Sequence, residues 1–296
     1  VKVLITGCHG QVGSCLVKQL QSCPDIEFLA VDRNALDITS EQDVIKIVNA
    51  FLPNIIINAA AHTAVDKAEN EVELSYAINR DGPKYLAQSA EKVGAAILHI
   101  STDYVFAGDK NGLYRESDLV NPKGVYGESK LAGEEAVINT CSRHIILRTA
   151  WVFGEDGNNF VKTMLRLAQQ RDSLGIVADQ FGGPTYAGDI AAVLINIAKI
   201  ITDSKNIFNS DDYGIYHFSG MPHVSWCEFA QVIFDKAVEQ KVLVKSPDVK
   251  RIKTEEYPTP AKRPANSKLN TQRITTVFNI PASDWQSALN HLSNYA

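Results

Sequence analysis

The chain has 296 residues, 45% of them apolar and 21% charged, with 29 basic against 34 acidic side chains and a formal charge of −5. That length holds about two domains or one large α/β unit. The acidic balance disfavours a surface built to coat nucleic acid. The most apolar stretch, Ala191 to Ile201, is broken by Asn196 and Lys199 and falls short of a bilayer span, so no membrane partner is expected.

Short β-branched runs at Lys2–Thr6, Glu27–Val31, Asn54–Asn58, Ala95–Ser101 and His144–Ala150 alternate with stretches of helical period at Gln11–Gln21, Ser40–Phe51, Val72–Val93 and Val125–Asn139. This alternation predicts βαβ units feeding a parallel sheet. Runs such as Ile55-Ile-Ile57 are continuously apolar, which fits strands covered by helices on both faces better than an antiparallel sandwich. Thr39 with Gln42 reads as a capping box for the second helix. After about residue 155 the helical stretches Asn159–Gln170, Asp189–Ile200 and Trp226–Val238 are separated by short strands and loops rich in Pro and Gly. The expected fold class is α/β. Residues 1–155 form a Rossmann-type doubly wound parallel sheet to which later segments return, and residues 156–296 mainly a smaller C-terminal substrate-binding lobe. Residues 247–269 carry four prolines and two arginines without helical period, and read as an ordered loop over a site. The five cysteines contain no C-x-x-C pair, and no basic-then-apolar leader stands before Val3. Free thiols in a reducing cytoplasm are expected, with Cys15 and Cys227 in the core.

Gly7, Gly10 and Gly13 follow the first strand and open the first helix, spaced G-x-x-G-x-x-G. A dinucleotide pyrophosphate needs glycines there for a tight turn, close backbone approach and helix–strand packing, with free N–H groups aimed at the phosphates. Asp32 ends the second strand nineteen positions after Gly13; a carboxylate there accepts hydrogen bonds from an adenosine ribose and favours NAD. Arg33 follows, where a guanidinium can pair with the 2′-phosphate of NADP or simply stand in solvent, so NADPH or NADH is the expected cofactor. Asp37-Ile38 and the small residues after Asn58 suit either cofactor contacts or a cap and a packing seam.

Tyr126 and Lys130 lie four apart in a helical stretch and so share one face. An ammonium near a phenol stabilises the phenolate. Ten tyrosines and nineteen lysines predict about 0.6 such pairs by chance, so the position carries the signal. The pair follows a strand ending in Ser101-Thr102-Asp103-Tyr104, and open parallel sheets collect catalytic groups at the carboxyl ends of their strands. A Thr102 hydroxyl there can hold a carbonyl oxygen beside the phenol, or can cap the strand end.

The glycine turn, Asn58-Ala-Ala-Ala-His62, Ser101-Thr-Asp103 and Tyr126-x-x-x-Lys130, in that order, resemble the extended short-chain dehydrogenase/reductase superfamily. The strings Asn58-Ala-Ala-Ala-His-Thr-Ala-Val-Asp-Lys-Ala-Glu69, Ser101-Thr-Asp-Tyr-Val-Phe106, Arg148-Thr-Ala-Trp151, Asn158-Asn-Phe-x-Lys-Thr-Met-Leu165 and Arg263-Pro-x-Asn-Ser-x-Leu269 are similar, within it, to the dTDP-4-dehydrorhamnose reductases. The resemblance implies hydride transfer from NADPH or NADH to C4 of dTDP-4-dehydro-L-rhamnose. Tyr126 would be the proton donor, Lys130 would lower its pKa and hold the nicotinamide ribose, and Thr102 would orient the keto oxygen. Gln11, Val12, Asp32, Asp37, Ile38, Ala60, Ala61 and Thr63 would line the cofactor. Asp103, Tyr104 and Trp151 would face the sugar, and Asn159 and Arg263 the diphosphate. His62 is carried only as a residue hydrogen-bonded at a strand end. The resemblance also implies a homodimer serving cell-surface polysaccharide synthesis. Some members use magnesium, but no carboxylate cluster stands here at ligand spacing and Cys15 suits a hard cation poorly, so a metal is not expected. A 4,6-dehydratase would need a glutamate where Tyr104 stands. A nucleotide-sugar 4-epimerase, and the non-catalytic reductase-like regulatory subunit of methionine adenosyltransferase, are the alternatives.

Overall fold

The computed structural model describes residues 1–203 and 208–295. Five strands, β1 (Lys2–Thr6), β2 (Glu27–Val31), β3 (Ile55–Asn58), β4 (Ala96–Thr102) and β5 (His144–Thr149), share a sheet with a sixth, Gly214–His217. Every pairing is parallel, in the order sixth strand, β5, β4, β3, β1, β2. The chain leaves β1 for β2 on one side and reaches β3 on the other, so a crevice opens at the carboxyl ends of β1 and β3.

The apolar runs explain the layers. Val3, Ile5, Ile55, Ile57 and Leu98 point to one face, under α1 (Gln11–Leu20) and α8 (Ala187–Thr202). Leu4, Ile56, Ile97 and Ile146 point to the other, under α2 (Glu41–Phe51), α5 (Gly82–Val93) and α6 (Val125–Thr140). Each fully buried Leu, Ile or Val contributes about 1.5–3 kcal/mol relative to an exposed one. A second core joins α7 (Phe160–Gln170) to α9 (Trp226–Glu239) through Val161, Leu165, Phe229 and Phe234, beside the parallel pair Ser173–Val177 and Asp248–Ile252. Residue 155 does not end the sheet layers, because α8 packs on α1 and the last sheet strand comes after residue 200. Cys15 and Cys227 are buried, and all five thiols are free.

Three local expectations need correction. Helix α2 is capped by Ser40, whose hydroxyl accepts from the Asp43 N–H, while Thr39 turns its hydroxyl to Asp37. The stretch Val72–Val93 is not one regular helix. After two short helices, α3 (Val65–Ala68) and α4 (Val72–Tyr76), a widened turn at Ala77–Asp81 precedes α5. Within that turn Asn79 bonds the backbone of His62 on both sides and the Ser129 hydroxyl, a tertiary demand that periodicity does not record. Finally, residues 247–269 begin as a strand, Asp248–Ile252, before becoming a loop. No described helix is long and apolar enough to cross a membrane.

Candidate active site

The turn from β1 into α1 is shaped for an anion. Gly7 has φ +72°, and a Cβ on it would meet the Ala60 backbone at 2.7 Å; a Cβ on Gly13 would lie 2.0 Å from the Gly7 carbonyl oxygen. Gly10 caps α1 without any side chain, leaving the first-turn N–H groups open toward the crevice. Val12 packs inward and Gln11 is half-buried beside it. These features fit a dinucleotide pyrophosphate.

The other expected cofactor residues follow the carboxyl ends of β2 and β3. Asp32 accepts from the N–H groups of Asn34 and Ala35 at 3.0 and 2.9 Å. The Ala35 bond leads the causes that hold its carboxyl below the usual range. Asp37 is likewise held down by Thr39, and Ile38 is buried. Ala60 and Ala61 are half-buried after β3, whereas Arg33 and Thr63 are exposed at the rim. His62 is held by Glu71 at 2.9 Å and Ser75 at 3.2 Å.

Helix α6 lays Tyr126 and Lys130 against the end of β4. The Tyr126 ring meets Tyr104 edge-on at 5.3 Å. Desolvation pushes the phenol above its usual pKa, and the neighbouring Thr102 hydroxyl pulls it part of the way back. Thr102 donates to Asp103 at 3.1 Å and accepts from the Tyr104 N–H at 3.2 Å. Burial pushes the Asp103 carboxyl up to about 6, although the neighbouring Ser267 and Thr102 hydroxyls oppose it, and its Oδ2 is buried without a hydrogen-bond partner. Lys130 sends its ammonium 2.7 Å to the Ile100 carbonyl. Lys130 bonds the Ile100 carbonyl and is not among the groups that act on the phenol in this arrangement.

Burial draws Lys130 down to about 8 from 10.5, against Glu134, which raises it. A buried ammonium with a depressed pKa costs stability at neutral pH, and that cost disappears as pH rises past about 8 toward the unfolded value. Lys130→Met is therefore expected to be more stable than the parent at pH 7 by about 1–3 kcal/mol, at the expense of activity. Denaturant melts should show the gap closing between about pH 8 and 10. A variant that is less stable at pH 7 would remove this account.

A cavity of about 870 Å³ adjoins these groups, lined by Tyr104, Trp151, Asn159, Trp226, Arg263 and Ser267 among others. Trp151 has φ +50° just past β5 and stacks on Trp226 at 3.5 Å. Arg263 donates to Asp66 at 2.7 Å, while its Nη1 is buried without a partner. Asn159 lines the cavity, but its amide caps α7 through the Lys162 N–H and donates to Gly154 and Gln11. The loop after Asp248–Ile252 borders the same cavity through Tyr257, Thr259 and Pro264. Trp226 and Ser267 went unforeseen. The capping box of Ser225 with Glu228 places Trp226 at a helix start, and Ser267 sits in the Arg263 string.

A family model described as the RmlD substrate binding domain matches residues 1–295. The chain belongs to the dTDP-4-dehydrorhamnose reductase family. A curated dTDP-4-dehydrorhamnose reductase of Aggregatibacter actinomycetemcomitans is 54% identical over 295 residues, covering 100% of this chain and 99% of the relative. The crystal structure of a family member from Clostridium acetobutylicum superposes with a TM-score of 0.89 at 41% identity, covering 98% of each chain. A Bacillus anthracis family member, solved in complex with NADP, gives a TM-score of 0.90 at 36% identity over 100% of this chain and 99% of that one. The family is one of NAD(P)H-dependent oxidoreductases, and the glycine cradle fits that cofactor.

Proposed function

We propose that the chain reduces the C4 keto group of dTDP-4-dehydro-L-rhamnose to give dTDP-L-rhamnose, with Tyr126 as the proton donor. One observation carries the reading. Tyr126 lies edge-on to Tyr104, which lines the cavity that also holds an Arg263 N–H group without a partner, and the neighbouring β1–α1 turn fits a dinucleotide. The reduced nicotinamide, when bound, supplies the hydride. Thr102 and Tyr126 hold the keto oxygen, and Tyr126 gives its proton to the alkoxide forming at C4. A desolvated phenol is a reluctant acid, so Lys130 assists as a cation once it faces the nicotinamide ribose.

On the substrate side, Asp103, Tyr104 and Trp151 form the sugar wall. Arg263, already oriented by Asp66, offers its free N–H group to the diphosphate. Asn159 acts by holding the start of α7 against Gln11. The free thiols support a cytoplasmic place, and the family resemblance supports a homodimer in polysaccharide precursor synthesis.

The test mixes the purified chain with NADPH or NADH and enzymatically generated dTDP-4-dehydro-L-rhamnose, following loss of the nicotinamide absorbance and the sugar product. Oxidation of the nucleotide with appearance of dTDP-rhamnose is expected. Nucleotide bound but never oxidised would move the assignment to an epimerase or a binding subunit.

A further inference from the structure

We propose that Gly182 and Trp226 are positioning residues for the sugar end of the cavity: together they clamp the Trp151 indole from both faces, so that Trp151 meets the substrate with its rim and in one fixed orientation. The proposal rests on the nucleotide-sugar reading above and adds to it two residues to which that reading gives no role.

The Trp151 and Trp226 rings stack with centroids 3.5 Å apart and planes 9° from parallel, so one face of the Trp151 indole is covered. Backbone closes the other. A Cβ built on Gly182 would lie 2.6, 2.8 and 3.0 Å from Cε2, Nε1 and Cδ2 of Trp151, three atoms bonded in a row within the ring system. Short and nearly equal distances to a bridge atom and its neighbours place that Cβ over the plane and not at its edge. Glycine alone lets a chain approach an aromatic face so closely. With both faces taken, the rim of the indole is what remains for the cavity that Trp151 lines.

Both jaws hang from one piece of structure. Phe181–Gly182 pairs antiparallel with Val224–Ser225, Gly182 opposite Val224 and Phe181 opposite Ser225. Ser225 caps α9, whose first residue is Trp226, and Phe160 braces the Trp226 ring at 4.6 Å. The spacing of the jaws is therefore set by a strand pair and a helix cap, not by flexible side chains. Gly182 is also the parallel partner of Ser267, another residue of the cavity wall. The backbone of Trp151 is held as well. Its φ of +50° is a left-handed value that a bulky residue adopts only where its surroundings impose it, and its carbonyl accepts from the Thr185 N–H at 3.1 Å. A side chain fixed in this way has little rotamer freedom left to lose when a sugar binds.

Thymidine diphosphate and dTDP-L-rhamnose differ by the sugar, so their affinities separate this effect from turnover and from nucleotide binding. In calorimetric titrations of the full chain, Gly182→Ala should weaken dTDP-L-rhamnose about tenfold and thymidine diphosphate by less than about twofold. The KM for the sugar substrate should rise more than kcat falls. Trp226→Leu, which removes the stacked ring, should behave in the same way, whereas Trp226→Phe, which keeps a ring there, should recover most of the affinity. In a Trp151→Leu background there is no indole to displace, so Gly182→Ala should cost dTDP-L-rhamnose less than about twofold more. Equal losses for the two ligands, no loss for either, or an undiminished Gly182→Ala loss in the Trp151→Leu background would each overturn the proposal. If Gly182→Ala does not fold, the Trp226 variants decide: equal affinity of Trp226→Leu and Trp226→Phe for dTDP-L-rhamnose would overturn it. A parent chain that binds neither ligand would overturn the nucleotide-sugar reading, and the proposal with it.

Discussion

Replacing Tyr126 by Phe is expected to lower kcat about 10²–10⁴-fold, the range over which a positioned proton donor acts. The substitution is clean because only the hydroxyl goes. The ring keeps its edge-on contact with Tyr104 at 5.3 Å. Nucleotide affinity, read by nicotinamide fluorescence, should stay within about twofold, so that kcat and kcat/KM fall together. The competing donor is Asp103, buried beside Thr102 with its carboxyl pushed up to about 6. If Asp103 supplied the proton, Tyr126→Phe would retain most of its turnover, and the remaining rate would fall as pH rises through about 6. Turnover of that kind would sink the tyrosine assignment.

The parts of the fold that could be read from the sequence are those where one local rule decides the outcome. β1 and β2 run over the expected residues, and the other sheet strands of the first half fall within a residue or two, because a strand buried on both faces must be apolar throughout. The glycine turn was legible for a steric reason: a Cβ at Gly7 or Gly13 would collide with backbone. Tyr126 and Lys130 were legible only through their place after β4. The widened turn at Ala77–Asp81 was not, since it follows from a tertiary contact of Asn79. Motif position singles out Arg33 and Asn159, but it does not record that the first stands exposed at a rim or that the second also caps α7 with its side chain. Helix α6 hides the most. It buries Ser129, Lys130 and Glu134 alongside Val137, so it presents no apolar stripe, and Glu134 followed by Glu135 reads as a solvent face.

That buried glutamate gives the largest expected loss of stability. Glu134, 1% exposed, receives two hydrogen bonds from Arg148, 2% exposed, at 2.9 and 2.6 Å, and a third from the Ser101 hydroxyl. Ser101 and Arg148 are direct partners in the β4–β5 register, so a single carboxylate ties α6 to two strands at once. Glu134→Gln leaves the Arg148 guanidinium without its counter-charge among buried groups, including a neutral His217 whose pKa is drawn down to about 3 by burial, with Arg148 adding to the effect. Removing one partner of such a pair costs about 3–5 kcal/mol, whereas replacing both by apolar residues costs far less. Urea denaturation of Glu134→Gln, Arg148→Met and the Glu134→Leu/Arg148→Met double variant should therefore give a double loss well below the sum of the two single losses. Because Ser101 precedes Thr102, the single variants should also lose kcat more than they raise KM. Single variants that each lose less than about 1 kcal/mol would show that α6 is held by its apolar contacts alone.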